Sequence, residues 1–262
     1  MKLNKLIASL ALPLSICLMV YAGGQLLETE HIYREAGTVY CSIQDQAWVN
    51  RASGLAYNPP ANGGGLSKIS AQAPSPGLGI DFKALKTINK DSAAWLYCPG
   101  TVIDYPVMQA EDYNYYLKHL PDDKSNANGS LFIDYHNAPD FSEPLTIIYG
   151  HNMKSGEMFG SLVGYKKQGY YEEHPYMYLY TEGGDYRVDL LYGCVIGAGS
   201  WRDQGFVLSE NLDAFLTYAA RNTTFRSDAA YAEGDRIVAL STCSYEFNDA
   251  RYAVIGILRG VT

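Results

Sequence analysis

Paired metal-binding or redox cysteines are missing from this sequence. Its five cysteines lie at positions 17, 41, 98, 194 and 243, and none of them forms a CxxC pair. The five histidines form no HExxH motif and no other metal-ligand spacing. Zinc-knuckle, thioredoxin-type and zinc-protease sites are therefore not indicated, and we expect no metal site and no cofactor.

Clustered positive charge is also lacking. The sequence has 20 Lys and Arg residues against 28 Asp and Glu residues, which gives a formal net charge of -8. Proteins that bind nucleic acid usually carry a basic patch, so we expect no nucleic-acid partner. Tyrosine is abundant instead, with 23 Tyr against 8 Phe and 3 Trp. Tyrosine suits half-buried strands and extended peptide-binding surfaces.

The chain begins with an apolar stretch from Leu6 to Ala22, which follows Lys2 and Lys5. This pattern is typical of an export signal or of an uncleaved signal-anchor. We favour the anchor, over residues 1–24, and a cleaved signal is the alternative. Because the lysines precede the apolar stretch, the N-terminus is expected in the cytoplasm and the rest of the chain outside the cell membrane.

Residues 25–79 are predicted to form a stalk and a flexible spacer. Residues 25–49 are mixed in character and could extend the anchor helix. From Arg51 to Gly79 the composition shifts to Gly, Pro, Ala, Ser and Asn, and such a segment cannot bury a core. It would hold the folded domain that follows it away from the membrane. We therefore predict a single folded domain over residues 80–262.

Short β-like runs fill this predicted domain. They lie between turn residues at 95–98, 102–107, 131–133, 145–149, 176–181, 186–196, 237–243 and 252–258. Helical spacing is limited to three places: a short helix capped by Asp81, a helix carrying Met158, Leu162 and Tyr165, and a third over 212–219. No βαβ rhythm is present. The pattern predicts a mainly β fold, either a closed antiparallel barrel or a sandwich, with a few short helices.

Three reactive side chains lie at the ends of predicted strands. Cys243 ends the run 237–243, Arg251 opens the next run, and His151 follows the run 145–149. Strand periodicity places Ser241 on the same face as Cys243, and Tyr149 on the same face as His151. If the last two runs pair as a hairpin with residues 244–250 as its loop, Cys243 and Arg251 lie side by side.

These residue types are those that thiol acyl transfer needs. A thiol with a pKa of about 8.5 is mostly protonated at neutral pH, so Cys243 needs His151 as its base. Arg251 stays charged and can donate to a carbonyl oxygen as negative charge grows on it. Taken singly, each is more often a buried cysteine, a turn histidine or a surface arginine. Spacing alone leaves both interpretations open.

The motifs around these residues resemble those of class B sortases. They are Leu240-Ser-Thr-Cys243 followed by Arg251, and Tyr149-Gly-His-Asn-Met153 upstream. Three further segments, 88–96, 100–109 and 129–134, match the stretch that leads into the barrel of that family. The resemblance spans residues 80–262 and leaves out the segment 51–79.

The resemblance implies an eight-stranded β-barrel that carries a membrane-tethered cysteine transpeptidase on the outer face of a Gram-positive cell. Such an enzyme cleaves a C-terminal sorting motif of exported proteins after its Thr. It holds the acyl group as a thioester and transfers it to an amine of peptidoglycan or lipid II. The catalytic roles fall to Cys243, His151 and Arg251, and Tyr149 and Ser241 become substrate-binding residues.

One segment departs from the family pattern. After the strand that ends in Gln109, the family often has Asp-Asn before Tyr-Leu, whereas this chain has Tyr113 at the position of the Asn. The resemblance makes Leu117 a substrate-binding residue, as in the family. It also makes Tyr113 a substrate-binding residue, at the position where the family has the Asn. We therefore expect weak selection for a sorting motif that begins with Asn.

Other activities stay open at this point. The same chemistry would serve an enzyme that polymerises pilins through a lysine amine, or one that mainly hydrolyses its substrate. A papain-like peptidase fits less well, because it usually places Cys before His. From a different class of protein, a noncatalytic wall-associated binding domain would make Cys243 and His151 incidental.

Overall fold

The computed structural model describes residues 2–49, 79–199 and 211–261. Most of the predicted spacer, residues 50–78, lies outside these ranges. In chain order the elements are α1 (Lys2–Ala47), β1 (Trp48–Val49), β2 (Gly79–Ile80), α2 (Phe82–Ile88), β3 (Ser92–Tyr97), β4 (Asp104–Gln109), β5 (Leu131–Ile133), β6 (Leu145–Tyr149), a 3₁₀ helix (Gly160–Lys166), α3 (Gln168–Glu173), β7 (Tyr176–Thr181), β8 (Gly184–Gly197), α4 (Leu212–Asn222), β9 (Ile237–Cys243) and β10 (Ala250–Gly260).

Eight strands close into a barrel in the order β10-β8-β7-β3-β4-β5-β6-β9. The predicted closed barrel is confirmed, but the prediction that it is antiparallel is wrong for two pairs. β4 and β5 run parallel, and so do β6 and β9. Parallel neighbours need a long crossover connection, and the chain between β6 and β9 includes β7, β8 and α4. Local periodicity cannot reveal a partner so distant in sequence.

The strands bury both of their faces. Side chains such as Val238, Leu240 and Val254 belong to the cluster that fills the barrel. Alternate side chains, such as Ile237 and Ala239, pack on the outer face together with one side of α4. Because successive strand residues face opposite ways, Ser241 and Cys243 continue the outer row. The reactive end of β9 therefore lies on the outside of the barrel.

The predicted short helices are present with one change. Asp81 caps α2, since the backbone N–H of Ala84 donates to its Oδ1 at 2.9 Å. The helix expected to carry Met158, Leu162 and Tyr165 begins only at Gly160 and is a 3₁₀ helix. Met158 has a φ of 52°, which an α-helix cannot accommodate, so the helix cannot start there.

The second half of α1 packs against the barrel. Ala36, Tyr40, Ile43 and Ala47 are buried along one side of the helix. The Tyr40 hydroxyl donates to the carbonyl of Gly129 at 2.6 Å, which joins the helix to the segment before β5. The continuous helix agrees with the prediction that residues 25–49 extend the N-terminal helix. Its contacts place part of the predicted stalk on the barrel.

The two described segments on either side of residues 50–78 lie side by side. β1 and β2 pair as antiparallel strands, with Trp48 opposite Ile80 and Val49 opposite Gly79. The domain boundary at residue 80 stays a prediction. Within the described part of the chain, no helix combines the length and the apolar character that a membrane crossing needs.

Candidate active site

Cys243 and Arg251 are direct neighbours across the β9–β10 hairpin. Their backbones form a register pair, and residues 244–249 make the connecting loop. Side chains at opposed positions of antiparallel strands start about 4.5–5.5 Å apart. The guanidinium of Arg251 also donates to the carbonyl of Ala250 at 3.0 Å. The thiol and the fixed cation therefore begin from adjacent positions on the outer face, as the spacing predicts.

His151 follows β6, which lies parallel to β9 with Tyr149 level with Ser241. Continuing this register by two residues brings His151 level with Cys243. The Nε2 of His151 lies 2.8 Å from the carbonyl oxygen of Leu117. Because a carbonyl oxygen can only accept, Nε2 carries the proton in this contact. In the neutral ring this leaves Nδ1 as the nitrogen that can take a proton.

Side-chain bonds fasten the His151 segment to β9 on both sides of the histidine. The Thr242 hydroxyl donates to the carbonyl of Gly150 at 2.8 Å. On the other side, the amide Nδ2 of Asn152 donates to the carbonyl of Cys243 itself, also at 2.8 Å. The residues adjacent to the predicted base are thus bonded to the predicted nucleophile and to the residue before it.

Asn152 and Thr242 have no predicted role, although both lie inside the motifs that carry the family resemblance. The available signal was their position, since each is a hydrogen-bonding residue next to a reactive one. Which backbone group each would reach depends on the parallel pairing of β6 with β9. That pairing was not predicted.

Three of the predicted substrate-binding residues lie in one cluster. Tyr113, Leu117 and Tyr149 pack around the buried side chains of Met108 and Phe132. The rings of Tyr113 and Tyr149 meet edge to face, with their centroids 5.9 Å apart. The Leu117 carbonyl contact with His151 places this cluster beside the predicted base.

The fourth predicted substrate-binding residue, Ser241, lies next to this cluster on β9. Its register partner on β6 is Tyr149. Ser241 is 1% exposed, and its hydroxyl has no hydrogen-bond partner among the described residues. A buried hydroxyl without a partner is costly, so a partner supplied by a bound substrate would be favourable there.

Asp134, which directly follows β5, was also missed as a site residue. Its carboxylate is fully buried and accepts the hydroxyls of Tyr149 and Tyr113 on Oδ2, at 2.7 Å and 3.0 Å. On Oδ1 it receives the backbone N–H of His136 and contacts the Nδ1 of the same residue, both at 3.0 Å. The sequence signal was an acidic residue at the end of a wholly apolar strand.

The loop after Cys243 is tied to the 3₁₀ helix. Lys166 donates to the Ser244 hydroxyl at 2.9 Å and forms an ion pair with Glu246, and Ser244 also donates to Glu246. The Lys166 ammonium, followed by the Ser244 hydroxyl, lowers the pKa of Glu246 to about 2. This Lys166–Ser244–Glu246 clamp fixes the first residues beyond the nucleophile.

The other cysteines of the barrel are poorly suited to attack a substrate. Cys98 and Cys194 are fully buried. Burial raises the pKa of Cys98 to about 11 and that of Cys194 to about 12, so both remain thiols at neutral pH. The thiolate is the reactive form of cysteine, and Cys243 is only partly buried. Among the barrel cysteines, Cys243 is therefore the candidate nucleophile.

Comparison with known proteins identifies the family. No protein-family model matches the chain. Sortase B of Listeria monocytogenes is 33% identical over 168 residues, which cover 63% of this chain and 68% of that protein. The chain belongs to the class B sortases. Sortase B of Staphylococcus aureus is 27% identical over 179 residues, 68% of this chain and 73% of that one.

Solved class B sortases share the barrel. A Staphylococcus aureus sortase B-substrate complex matches with a TM-score of 0.63 and 29% identity, over 69% of this chain and 85% of that one. A sortase B complexed with triglycine gives 0.63 and 29%, over 69% and 86%. A Streptococcus pyogenes class B sortase involved in pilus biogenesis gives 0.61 and 28%, over 68% and 98%. The fold that the sequence motifs imply is therefore confirmed.

Proposed function

We propose that this class B sortase is a cysteine transpeptidase that cleaves a C-terminal sorting motif of exported proteins after a Thr. The observation that carries the proposal is the direct pairing of Cys243 with Arg251, beside the segment that holds His151. No other arrangement of side chains in the described barrel places a partly exposed thiol next to a fixed cation and a histidine.

The first half-reaction forms a thioester. His151 takes the thiol proton, and the Cys243 sulfur forms a bond to the scissile carbonyl carbon. The carbonyl oxygen takes up the displaced electron pair, and Arg251 donates to it as the charge grows. When the carbon–nitrogen bond breaks, His151 returns its proton to the leaving amine.

The second half-reaction transfers the acyl group to an amine. The incoming amine attacks the thioester carbonyl and loses a proton to His151, and the Cys243 thiolate leaves. We propose an amine of peptidoglycan or lipid II as the acceptor. A related sortase B has been solved with triglycine, a peptide that itself carries a terminal amine, and this supports an amine acceptor.

The proposed location is the outer face of a Gram-positive cell membrane, with one N-terminal crossing. The apolar stretch Leu6–Ala22 behind two lysines supports it. In the described part of this stretch, large apolar side chains of α1 are exposed, including Leu18, Met19 and Val20. The proposed partners are thus the membrane and exported proteins that carry a sorting signal.

A second candidate activity is the polymerisation of pilins through a lysine amine. It is favoured by the similarity to the Streptococcus pyogenes sortase that is involved in pilus biogenesis. A mainly hydrolytic peptidase would use the same thioester, with water as the acceptor. A noncatalytic binding domain would form no thioester at all.

The test uses the full chain in mild detergent and a library of sorting peptides. Each peptide is offered one of three acceptors: an amine of the kind found in peptidoglycan, a lysine side chain, or water alone. We expect mass spectrometry to find an acyl adduct on Cys243 and a transfer product with the peptidoglycan amine. Cys243→Ala should abolish both, whereas Cys41→Ala, a matched change on α1, should not. An adduct on Cys98 or Cys194, or none with any peptide, would contradict the proposal.

A further inference from the structure

The ring of His151 is oriented by a carbonyl group that belongs to a loop. Its Nε2 donates to the carbonyl of Leu117 at 2.8 Å, and Leu117 lies between β4 and β5, outside the barrel strands. The hydrogen bonds of a sheet fix the carbonyls within its strands, whereas a loop carbonyl needs other contacts to hold it in place. The contacts behind Leu117 therefore decide where the predicted base lies and which of its nitrogens carries the proton.

The residues just before β5 pack on this carbonyl. The backbone N–H of Ser130 donates to the carbonyl of Tyr116 at 2.8 Å. Gly129 approaches so closely that a Cβ atom there would lie 2.8 Å from the carbonyl oxygen of Leu117. Its φ of 58° is also one that glycine adopts more readily than other residues. A displacement of Gly129 would therefore displace the acceptor of the His151 proton.

Helix α1 holds Gly129 in place through Tyr40. The Tyr40 hydroxyl donates to the carbonyl of Gly129 at 2.6 Å, and both residues are buried. Burial raises the pKa of this hydroxyl, so it remains a donor at neutral pH. A buried carbonyl that loses its donor is costly, so without this hydroxyl the Gly129 segment would gain by moving toward another partner.

The same helix contacts the loop at a second place. The Nδ2 of Asn126 donates to the carbonyl of Ile32 at 3.1 Å and to the Oε2 of Glu35 at 3.3 Å. The backbone N–H of Asn126 donates to the carbonyl of Lys118 at 2.8 Å. Lys118 directly follows Leu117, so α1 is bonded to the loop segment that runs alongside the Leu117 carbonyl.

A separate set of contacts leads from Tyr40 to the backbone of the histidine. The rings of Tyr40 and Tyr105 meet edge to face, with their centroids 5.0 Å apart. The Tyr105 hydroxyl accepts the backbone N–H of Met158 at 3.3 Å. The next residue, Phe159, donates its own N–H to the carbonyl of His151 at 3.0 Å. One route from Tyr40 thus ends on the ring of His151 and the other on its backbone.

We propose that Tyr40 of helix α1 is a positioning residue for His151. It holds the Leu117 carbonyl where this group accepts from Nε2, so that Nδ1 stays the nitrogen that can take the thiol proton. The inference rests on the proposed transpeptidase function, in which His151 is the acid and the base. Because Tyr40 is buried beneath the loop, its loss should act on kcat and not on KM.

Tyr40→Phe, made in the full chain in mild detergent, tests the kinetic effect. This variant keeps the ring and its contact with Tyr105 but removes the donor to Gly129. With the sorting peptide that the wild-type chain cleaves best, we expect kcat to fall about tenfold and KM to change less than about twofold. An unchanged kcat, or a rise in KM in place of the fall in kcat, would overturn the inference.

The ring of His151 gives a readout that needs no substrate. Nitrogen-15 NMR of chains labelled at histidine reports which ring nitrogen carries the proton, and His151→Gln identifies the signals. The Cys243→Ala background removes the thiolate that could charge the ring. We expect the Nε2–H tautomer in this background and a mixture of tautomers once Tyr40→Phe is added. A tautomer that Tyr40→Phe leaves unchanged would overturn the inference.

Gln44→Leu is the matched control. Gln44 lies one turn further along α1 and also donates to a buried backbone carbonyl, that of Asp104 at 2.7 Å. We expect Gln44→Leu to lower the melting temperature, as Tyr40→Phe does, but to leave kcat and the His151 tautomer unchanged. An equal loss of kcat in Gln44→Leu would show that any loosening of α1 lowers activity, and it would overturn the specific role of Tyr40.

A variant on the loop side keeps the test decisive if Tyr40→Phe fails to fold. Asn126→Asp keeps the size of the side chain but places an oxygen opposite the Ile32 carbonyl and the Glu35 carboxylate, which repel it. We expect the same fall in kcat and the same mixture of tautomers. A folded Asn126→Asp with the wild-type kcat and tautomer would then overturn the inference.

The two proposals fail in different ways. An acyl adduct on Cys243 in the wild type, together with a fully active Tyr40→Phe, overturns the positioning inference alone. Absence of any adduct with every peptide overturns the transpeptidase function and, with it, the catalytic meaning of this inference.

Discussion

Asn152 and Thr242 hold the predicted base and the predicted nucleophile together through backbone carbonyls. The Asn152 amide bonds to the carbonyl of Cys243, and the Thr242 hydroxyl bonds to that of Gly150. Neither side chain needs to touch the substrate to affect the reaction. A displacement of about 1 Å in a reacting group can cost about a hundredfold in rate.

Asn152→Asp replaces the donor with an oxygen that repels the Cys243 carbonyl. We expect a loss of at least about tenfold in acylation rate, with little change in KM. Thr242→Val should behave in the same way, and Thr242→Ser, which restores the hydroxyl, should recover most of the rate. Single-turnover acylation measures the effect, and a parallel rise in KM in Asn152→Asp would point to a substrate contact instead.

Substitutions of Arg251 test whether its guanidinium stabilises the oxyanion that forms during acylation. Lysine keeps the charge but lacks the planar fork that reaches a carbonyl from a neighbouring strand. We expect both Arg251→Lys and Arg251→Ala to lose at least about a hundredfold in acylation rate, with little change in melting temperature. Near-wild-type acylation by Arg251→Lys would leave this residue a structural role only.

A substitution at Ser241 should affect protein stability and substrate binding differently. Its buried hydroxyl lacks a partner in the described structure, so removing it should not destabilise the protein. We expect Ser241→Ala to keep or raise the melting temperature while raising KM for the sorting peptide about threefold to tenfold. A lower melting temperature with unchanged KM would mean that the hydroxyl bonds within the protein.

At the scale of elements, the clamp formed by Lys166, Ser244 and Glu246 joins the 3₁₀ helix to the loop after Cys243. The pKa of Glu246 is lowered to about 2, so this carboxyl favours the folded state when it is ionised. Its contribution is present above the ordinary pKa of glutamate and is lost as pH falls through the folded value. Solvent weakens the ion pair, because both side chains are about a third exposed.

We therefore expect Glu246→Gln to be slightly less stable than the wild type from neutral pH down to about pH 5. The difference should shrink as pH falls from about 4.5 toward about 2. Urea unfolding of both proteins across this range measures it. A difference that grows on acidification would contradict the assigned direction.

The elements also show what the sequence could predict and what it could not. The two-residue period of a strand predicts that Cys243 and Ser241 lie on the same face, and a short hairpin predicts that Cys243 pairs with Arg251. The strand on the other side of β9 is β6, and this pairing could not be predicted, because β6 is far away in sequence and pairs in parallel. The contacts of Asn152 depend on that distant pairing, and those of Asp134 depend on the pairing of β5 with its neighbours. Their roles could therefore be recognised only in the folded chain.

At the scale of the whole molecule, α1 and β1 cover part of the barrel. Ile43 and Ala47 pack in one cluster with Leu85, Trp95 and Tyr180, all of them buried. The Trp48 indole N–H and the Gln44 amide both donate to Asp104, one to its side chain and the other to its carbonyl. Removing α1 and β1 would expose the indole of Trp95, on which Trp48 packs. It would also remove the hydrogen bond that Gln44 donates to the carbonyl of Asp104.

The sequence predicts that residues 80–262 fold alone, whereas these contacts predict a cost. We expect a fragment beginning at residue 80 to be at least about 2 kcal/mol less stable than one beginning at residue 30. For a domain of this size the melting temperature should fall by about 4–8 °C. Calorimetry of the two fragments measures the difference, and equal melting temperatures would show that α1 adds nothing to the fold.

The pairing of β1 with β2 affects which part of the chain can set the distance between the barrel and the membrane. The segment 50–78 leaves and returns at neighbouring strands, so its length does not separate the barrel from α1. If the apolar stretch spans the membrane as proposed, helix α1 itself sets the distance from the membrane to the barrel. From Ala22, the end of the apolar stretch, to Ala36, which is buried against the barrel, it measures about 21 Å at about 1.5 Å per residue. Substrate capture then becomes a search in two dimensions within a thin layer above the lipid. Lengthening 50–78 would leave that layer where it is, and inserting turns into α1 would raise it.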